Sequence, residues 1–283
     1  MSRVAQLVLM VLLVATAQLV PHRSPVAHAV GSLQVLATVG GQPDDITVDT
    51  HGRLVWGDLA SGTLDRLQNG HVVSVVRGLS VPEGLVALHN GSFLVAEQGR
   101  DQIDLIGRRG VVSVVSRLVP VAGQEGVDAI GYDARTGTIL VPDSPHGTVL
   151  KIGLHSRTVQ VFAQGLGRPV DAKLDTHGNV LVPDEHLGTL VVISPRGSIS
   201  HRGTFSTPDD VAVDGSGRIW VTSLGDGGLW EIAPHAAPRR VLSGLANPQG
   251  LTLDRCGDPI VVEQGAARIV RLLLTSASRR CAL

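Results

Sequence analysis

Apolar and polar positions alternate with period two in short runs along most of the chain, and Gly-, Asn- and Asp-bearing turns separate the runs. The first complete set is Pro43 to Asp49, Arg53 to Asp58, Thr63 to Leu67 and His71 to Val76, with turns at Asp49-Thr50-His51-Gly52 and Asn69-Gly70. Period two makes each run a strand, and the short turns make the set an antiparallel meander. The opening phrase then recurs about every forty residues. It reads Pro43-Asp44-Asp45-Ile46, Pro82-Glu83-Gly84-Leu85 and Pro208-Asp209-Asp210-Val211, with weaker copies at Gln124-Glu125-Gly126-Val127, Pro169-Val170-Asp171-Ala172 and Pro248-Gln249-Gly250-Leu251. Six copies of a four-strand unit predict an all-β, six-bladed β-propeller of four-stranded antiparallel blades. The blades are expected near 39–77, 78–118, 119–164, 165–204, 205–243 and 244–274.

The last repeat contains only three strands, at Pro248 to Asp254, Pro259 to Glu263 and Ala267 to Leu274. Upstream of the first repeat, Ser32 to Thr38 alternates as a strand should. An N-terminal strand completing the last blade leaves no open edge between first and last repeats.

Residues 1–29 stand apart from the array. Arg3 precedes the uncharged stretch Val4 to Val20, and Ala27-His28-Ala29 supplies a small-x-small cleavage pattern. This predicts a signal peptide, a single mature domain over 30–283, and a secreted, extracellular or cell-envelope protein with no membrane span after cleavage. A retained anchor is the alternative, because the apolar stretch is close to the lower length limit for spanning. In an exported chain the two cysteines are expected to pair. Cys256 follows the inner strand of blade six and Cys281 follows its third strand, so both fall at one edge of the meander, and such a disulfide contributes about 3 kcal/mol in the chain-entropy account.

Net charge is -1, which gives no global attraction to nucleic acid or an anionic membrane. The chain has three Trp, one Tyr and three Phe, too few for stacking platforms, so nucleic-acid and polysaccharide readings lose support. A monomer acting on a small molecule or an extracellular protein is the expected form. No Gly-x-Ser-x-Gly elbow and no phosphate-binding Gly loop occurs.

The meander does concentrate acid. Starts of first strands and ends of second strands share one face. The first set holds Asp44, Asp45, Glu83, Glu125, Asp128, Asp171, Asp209 and Asp210; the second holds Asp58, Glu97, Asp143, Asp184 and Glu263. The second-strand acid recurs in five blades, which points to a role in every blade, accepting backbone N–H bonds in the following turn. The first-strand acids vary among blades, as the parts of a single asymmetric site do. Asp44, Glu83, Glu125, Asp171 and Asp209 are the candidate metal ligands. Hard oxygen donors without His or Cys select Ca2+ or Mg2+, and Lys173 and Arg168 are alternative internal counter-charges. Asp45, Asp128, Asp210, His146 and His186 are expected on the ligand-binding face.

The phrase Pro208-Asp209-Asp210-Val211-Ala212-Val213-Asp214-Gly215-Ser216-Gly217-Arg218-Ile219-Trp220-Val221 and its copies resemble the repeat of NHL-type and SMP-30/gluconolactonase-like propellers. In the lactonase family a Pro-Asp-Gly aspartate is metal ligand and candidate base, so the resemblance makes Asp209 the candidate catalytic residue, with Glu83 or Glu125 as the family's Glu. No Asn stands at the equivalent inner positions. Val95-Ala96-Glu97-Gln98-Gly99 and Val262-Glu263-Gln264-Gly265 also resemble turns of streptogramin lyases, which use His and Mg2+, and His146 and His186 occupy corresponding turns. Two functions follow as expectations: an extracellular NHL-type recognition module with a divalent cation at the channel mouth, or a metal-dependent lactonase, esterase or streptogramin-lyase-like enzyme.

Overall fold

The structure is a computed structural model that describes residues 31–274. The signal-peptide segment and Cys281, and with it the expected disulfide, lie outside the described residues. Six four-stranded antiparallel sheets follow one another along the chain. The chain opens with β1 (Leu33–Thr38), and blade one follows as β2 (Pro43–Val48), β3 (Leu54–Asp58), β4 (Thr63–Gln68) and β5 (His71–Arg77). Blade two is β6 (Pro82–Ala87), β7 (Phe93–Glu97), β8 (Gln102–Ile106) and β9 (Val112–Arg117). Blade three is β10 (Gly131–Asp133), β11 (Thr138–Asp143), β12 (Thr148–Gly153) and β13 (Val159–Gln164). Blade four is β14 (Lys173–Leu174), β15 (Val180–Asp184), β16 (Thr189–Ile193) and β17 (Ile199–Arg202). Blade five is β18 (Pro208–Val213), β19 (Ile219–Ser223), β20 (Gly228–Ile232) and β21 (Arg239–Leu242). Blade six is β22 (Pro248–Leu253), β23 (Pro259–Glu263) and β24 (Arg268–Leu272), and its outermost strand is β1, antiparallel to β24 with Leu33 opposite Leu272 and Thr38 opposite Arg268.

The second strand of each blade explains why the sheets stack. Its residues are buried on both faces, so it reads as a nearly continuous apolar run, and alternate side chains enter two different cores. In β3, Leu54 and Trp56 pack with Ile260, Val262 and Ile269 of blade six, whereas Val55 packs with Leu85, Val95 and Ile106 of blade two. The same division yields six apolar cores, one at each blade junction. Truncating a large side chain in such a core to Ala costs about 2–5 kcal/mol.

Small residues let the inner strands approach one another. A Cβ on Gly131 would stand 1.8 Å from the carbonyl oxygen of Ala172, and one on Gly250 would stand 2.5 Å from that of Asp44. Among the described residues no helix is long and apolar enough to cross a membrane.

Candidate functional site

Pairing places the acids on one face. Pro43 lies opposite Asp58, Pro82 opposite Glu97, Pro248 opposite Glu263 and Pro208 opposite Ser223, and Pro169 bridges to Asp184. First-strand starts therefore lie beside second-strand ends around the mouth of the central channel. Further along the channel lies a cavity of about 360 Å³ whose lining includes Ile46, Tyr132, Leu174 and Val213 together with Thr47, Thr252 and Lys173.

Blade three departs from the expected register. Gly131 pairs with Leu140 and Asp133 with Thr138, which carries the chain back so that Val127-Asp128-Ala129-Ile130, not Gln124-Glu125-Gly126-Val127, takes the place of Pro43-Asp44-Asp45-Ile46. Burial decides the matter: Ile130 is fully buried against Ile139 and Val141, a stronger constraint than the local likeness of Glu125-Gly126 to Glu83-Gly84. Glu125 is thus not at the mouth's centre. It sits on the preceding loop, its side chain 70% exposed, 2.7 Å from Arg168 Nη2. Asp128, expected only on the ligand-binding face, is the blade-three member of the ring.

Four carboxylates from four blades make up the mouth: Asp44, Glu83, Asp128 and Asp209. Val170 and Gln249 occupy the other two places. Burial, and after it the charges of Asp128 and Asp45, pushes Asp44 well above the usual carboxylate range, although Gln264 Nε2 donates to its Oδ2 at 2.8 Å. Burial and then Asp44 and Asp128 raise Glu83 in the same way, and Glu83 and Asp128 share a hydrogen bond. Asp209 is raised by burial, then by Asp128 and Asp44, and its side chain has no hydrogen-bond partner among the described residues. Asp128 is pushed up to about 6 by burial, restrained by Arg168, whose Nη2 stands 3.2 Å from its Oδ2. Arg168 also pairs with Glu185, a carboxylate that the sequence pattern had not singled out although it directly follows the β15 acid Asp184. A single guanidinium, partly shared with Glu125 and Glu185, is the nearest positive charge to the ring.

One residue further along the inner strands lies a second ring with different chemistry. Asp45 Oδ1 accepts from the Ile46 N–H at 2.7 Å and its Oδ2 from the Leu85 N–H of the next blade at 2.6 Å. Asp171 accepts from the N–H groups of Ala172 and, across the junction, Val211, and Asp210 Oδ2 accepts from the Leu251 N–H. The Lys173 ammonium completes the ring, donating to Asp171 Oδ1 at 2.7 Å and to the Ile130 carbonyl at 2.8 Å. Burial works against that ammonium, but Asp171, Asp45 and Asp210 outweigh it and hold Lys173 above its ordinary value. Asp171, expected among the metal ligands, therefore belongs to this blade-joining ring, its oxygens already filled by N–H groups and an ammonium. Asp45 and Asp210 are likewise buried joints rather than ligand-facing groups.

The second-strand acids serve the loops. Asp184 accepts from the N–H groups of Gly167, Arg168 and Leu187, Glu97 from Ser80, and Glu263 from Ala246. In blade five Ser223 replaces the acid and donates to the Ser206 carbonyl. His146 is exposed, with Nδ1 2.9 Å from Asp143 Oδ1, and His186 is exposed beside Glu185.

The mouth donors are all carboxylate oxygens, the set that hard dications select. Among the described residues no group of three or more His, Cys, Asp and Glu side chains is already drawn into a metal-holding cage.

No family model and no curated protein matches the chain. Solved structures share its fold. A gluconolactonase from Xanthomonas campestris superposes with a TM-score of 0.74 at 18% identity, covering 86% of this chain and 89% of its own. A catalytically inactive virginiamycin B lyase from Staphylococcus aureus with quinupristin gives 0.65 at 15% identity, over 83% of this chain and 82% of its own. A nidogen/laminin complex gives 0.60 at 16% identity, over 68% and 75%. The fold is thus that of gluconolactonase and virginiamycin B lyase propellers, and it also serves in a protein–protein complex.

Proposed function

We propose that the acidic mouth is the working site of an exported hydrolytic propeller that acts on a small ester or lactone with Ca2+ or Mg2+ held among Asp44, Glu83, Asp128 and Asp209. The observation carrying this reading is the contrast between the two rings. The inner carboxylates accept backbone N–H bonds across blade junctions, whereas the mouth carboxylates, among the described residues, accept no backbone N–H across a junction and face one another. Buried groups with pKa values displaced toward neutrality, gathered in a concave site, are what acid–base chemistry uses.

When bound, the cation would supply polarisation of the substrate carbonyl and a more acidic water. The chain's own groups do the rest. Asp209, with no side-chain hydrogen bond of its own, takes the proton of the attacking water. The proton shared by Glu83 and Asp128 is available to the departing oxygen, and Arg168, at the rim, holds the carboxylate formed on ring opening. Gln264 keeps Asp44 turned toward the mouth.

The test is turnover of a lactone and ester panel by the purified mature protein, with and without EDTA. Chelator-sensitive hydrolysis that Asp209→Asn abolishes supports the reading; a protein that binds the cation yet hydrolyses nothing on the panel overturns it.

A second reading is a non-catalytic recognition module. It is favoured by the row of exposed valines on outer strands, Val72 and Val73 on β5, Val112 and Val114 on β9, and Val159 and Val161 on β13. Metal binding with no turnover in either form is its expected signature.

A further inference from the structure

On the face opposite the mouth, the turns of blades one and two enclose a cleft of about 350 Å³. Three guanidinium groups line it, from Arg53, Arg66 and Arg108, together with His51, and its only carboxylate is Asp49. That carboxylate is fully engaged. Its Oδ1 accepts from the N–H groups of His51 and Arg53, and its Oδ2 accepts from Arg53 Nε at 2.8 Å.

Blade six shows what is different here. Arg271 stands at the same position of its third strand as Arg66, and it donates to Asp254 Oδ2 at 3.1 Å, the acid at the corresponding inner turn. In blade one Arg53 has taken that acid. Blade two offers no substitute, since its inner turn reads Leu88-His89-Asn90-Gly91. Arg66 is left with one side-chain bond, from Nη2 to Gln68 Oε1 at 2.7 Å; the buried Nε has no partner in either arginine, so the difference is the carboxylate that Arg271 reaches and Arg66 does not. Burial and then the like charge of Arg53 hold its pKa below the ordinary value, and the nearby Asp49 carboxylate offsets them only in part. Arg108, exposed at the rim, is fixed by donation from Nε to the Asn90 carbonyl, which leaves its terminal nitrogens free of side-chain bonds among the described residues.

We propose that this interblade cleft binds a small, freely diffusing phosphate-type oxyanion, with Arg66 at its base and Arg53 and Arg108 on its walls. Excess positive charge, a half-buried guanidinium that reaches no carboxylate and planar donors suited to paired N–H···O bonds all call for that chemistry. The volume leaves room for a second phosphoryl unit or a small substituent.

Calorimetric titration and thermal melts with inorganic phosphate and with pyrophosphate, at ionic strength matched with NaCl, test the inference. Saturable heat and a saturable rise in Tm are expected, with pyrophosphate binding the tighter. Arg66→Met should weaken binding at least tenfold and, without anion, melt no lower than wild type, because a charge lacking a counter-charge has been removed. Arg108→Gln, on the surface, should weaken binding without affecting the fold. No saturable response in wild type, unchanged affinity in both variants, or a fall in the anion-free Tm of Arg66→Met with no phosphate effect in wild type would overturn it. So would binding to phosphatidylglycerol vesicles with none to free phosphate or pyrophosphate.

Discussion

Asp44 and Asp45 are neighbours in one strand, as are Asp209 and Asp210 in another, yet the members of each pair do opposite things. Asp45 and Asp210 each accept a backbone N–H from the following blade, about forty residues on, and they share one ammonium with Asp171. Asp44 and Asp209 face other carboxylates across the channel mouth; burial raises all four aspartates, but only at Asp45 and Asp210 does a backbone N–H of the next blade meet the carboxylate. A bulge between Pro43 and Ile46, repeated between Pro208 and Val211, turns adjacent side chains to these two environments. A buried carboxylate is a joint where N–H groups meet it and a liability where only like charges do. A liability kept in four blades is more economically explained by what it binds than by what it holds together.

The comparison breaks most readily at Lys173. Lys173→Met leaves Asp45, Asp171 and Asp210 without their ammonium and should cost about 3–5 kcal/mol, read from urea unfolding. A cost below about 1 kcal/mol would show that the inner ring balances its charge in some other way. Next in size is the adjacent pair. Asp45→Ala strips an acceptor from the N–H groups of Ile46 and Leu85, at about 1–3 kcal/mol for each group left unpaired. Asp44→Asn should be neutral or stabilising at pH 7 without added cation. If both substitutions destabilise alike, the two rings are not different in kind.

The pH dependence reads the raised carboxylates of both rings, and a substitution at the mouth isolates its share. A carboxylate whose folded pKa lies above its unfolded value binds more protons folded than unfolded, so stability falls as pH rises between the two values. Asp128 at about 6 and Asp45 at about 7, with Asp44, Glu83, Asp209 and Asp210 also raised, should make the metal-free protein lose stability from about pH 4 upward through neutrality. Urea midpoints at pH 5 and pH 7.5 measure this, and Asp209→Asn should flatten the slope. A stability that rises over this window would contradict the assignment. The smallest effect concerns Glu125: Glu125→Gln removes a side chain that is 70% exposed and should change stability by less than about 0.5 kcal/mol and leave cation binding intact.

The blades could be read from the sequence because period-two runs and Gly-bearing turns are local. The inner strands of blades three and four could not be placed as well. The strands there are short, Gly131–Asp133 and Lys173–Leu174, the latter with an isolated bridge at Pro169, and blade three lacks the Pro-acid start, so a nearby Glu-Gly pair imitated it. The division into two rings was not legible either, since it depends on a bulge and on acceptors about forty residues from their donors. One signal was present: the position of Asp45 is filled around the propeller by Asp45, Gly84, Ala129, Asp171, Asp210 and Gly250, which either accept a hydrogen bond or leave room for close approach. The part of Arg168 as a rim counter-charge was foreseeable from its place beside the blade-four start. That of Glu185 was not, because it lies one residue beyond the repeating acid.

The most direct test counts protons. If the mouth carboxylates are protonated for want of a cation, binding Ca2+ or Mg2+ must release those protons. A pH-stat titration of the purified protein at pH 7 should release at least one proton per ion bound, in a saturable way. Asp209→Asn should reduce both the release and the affinity. Binding without proton release, or the same release in Asp209→Asn, would contradict the claim that the outer ring is a cation site held open by protons.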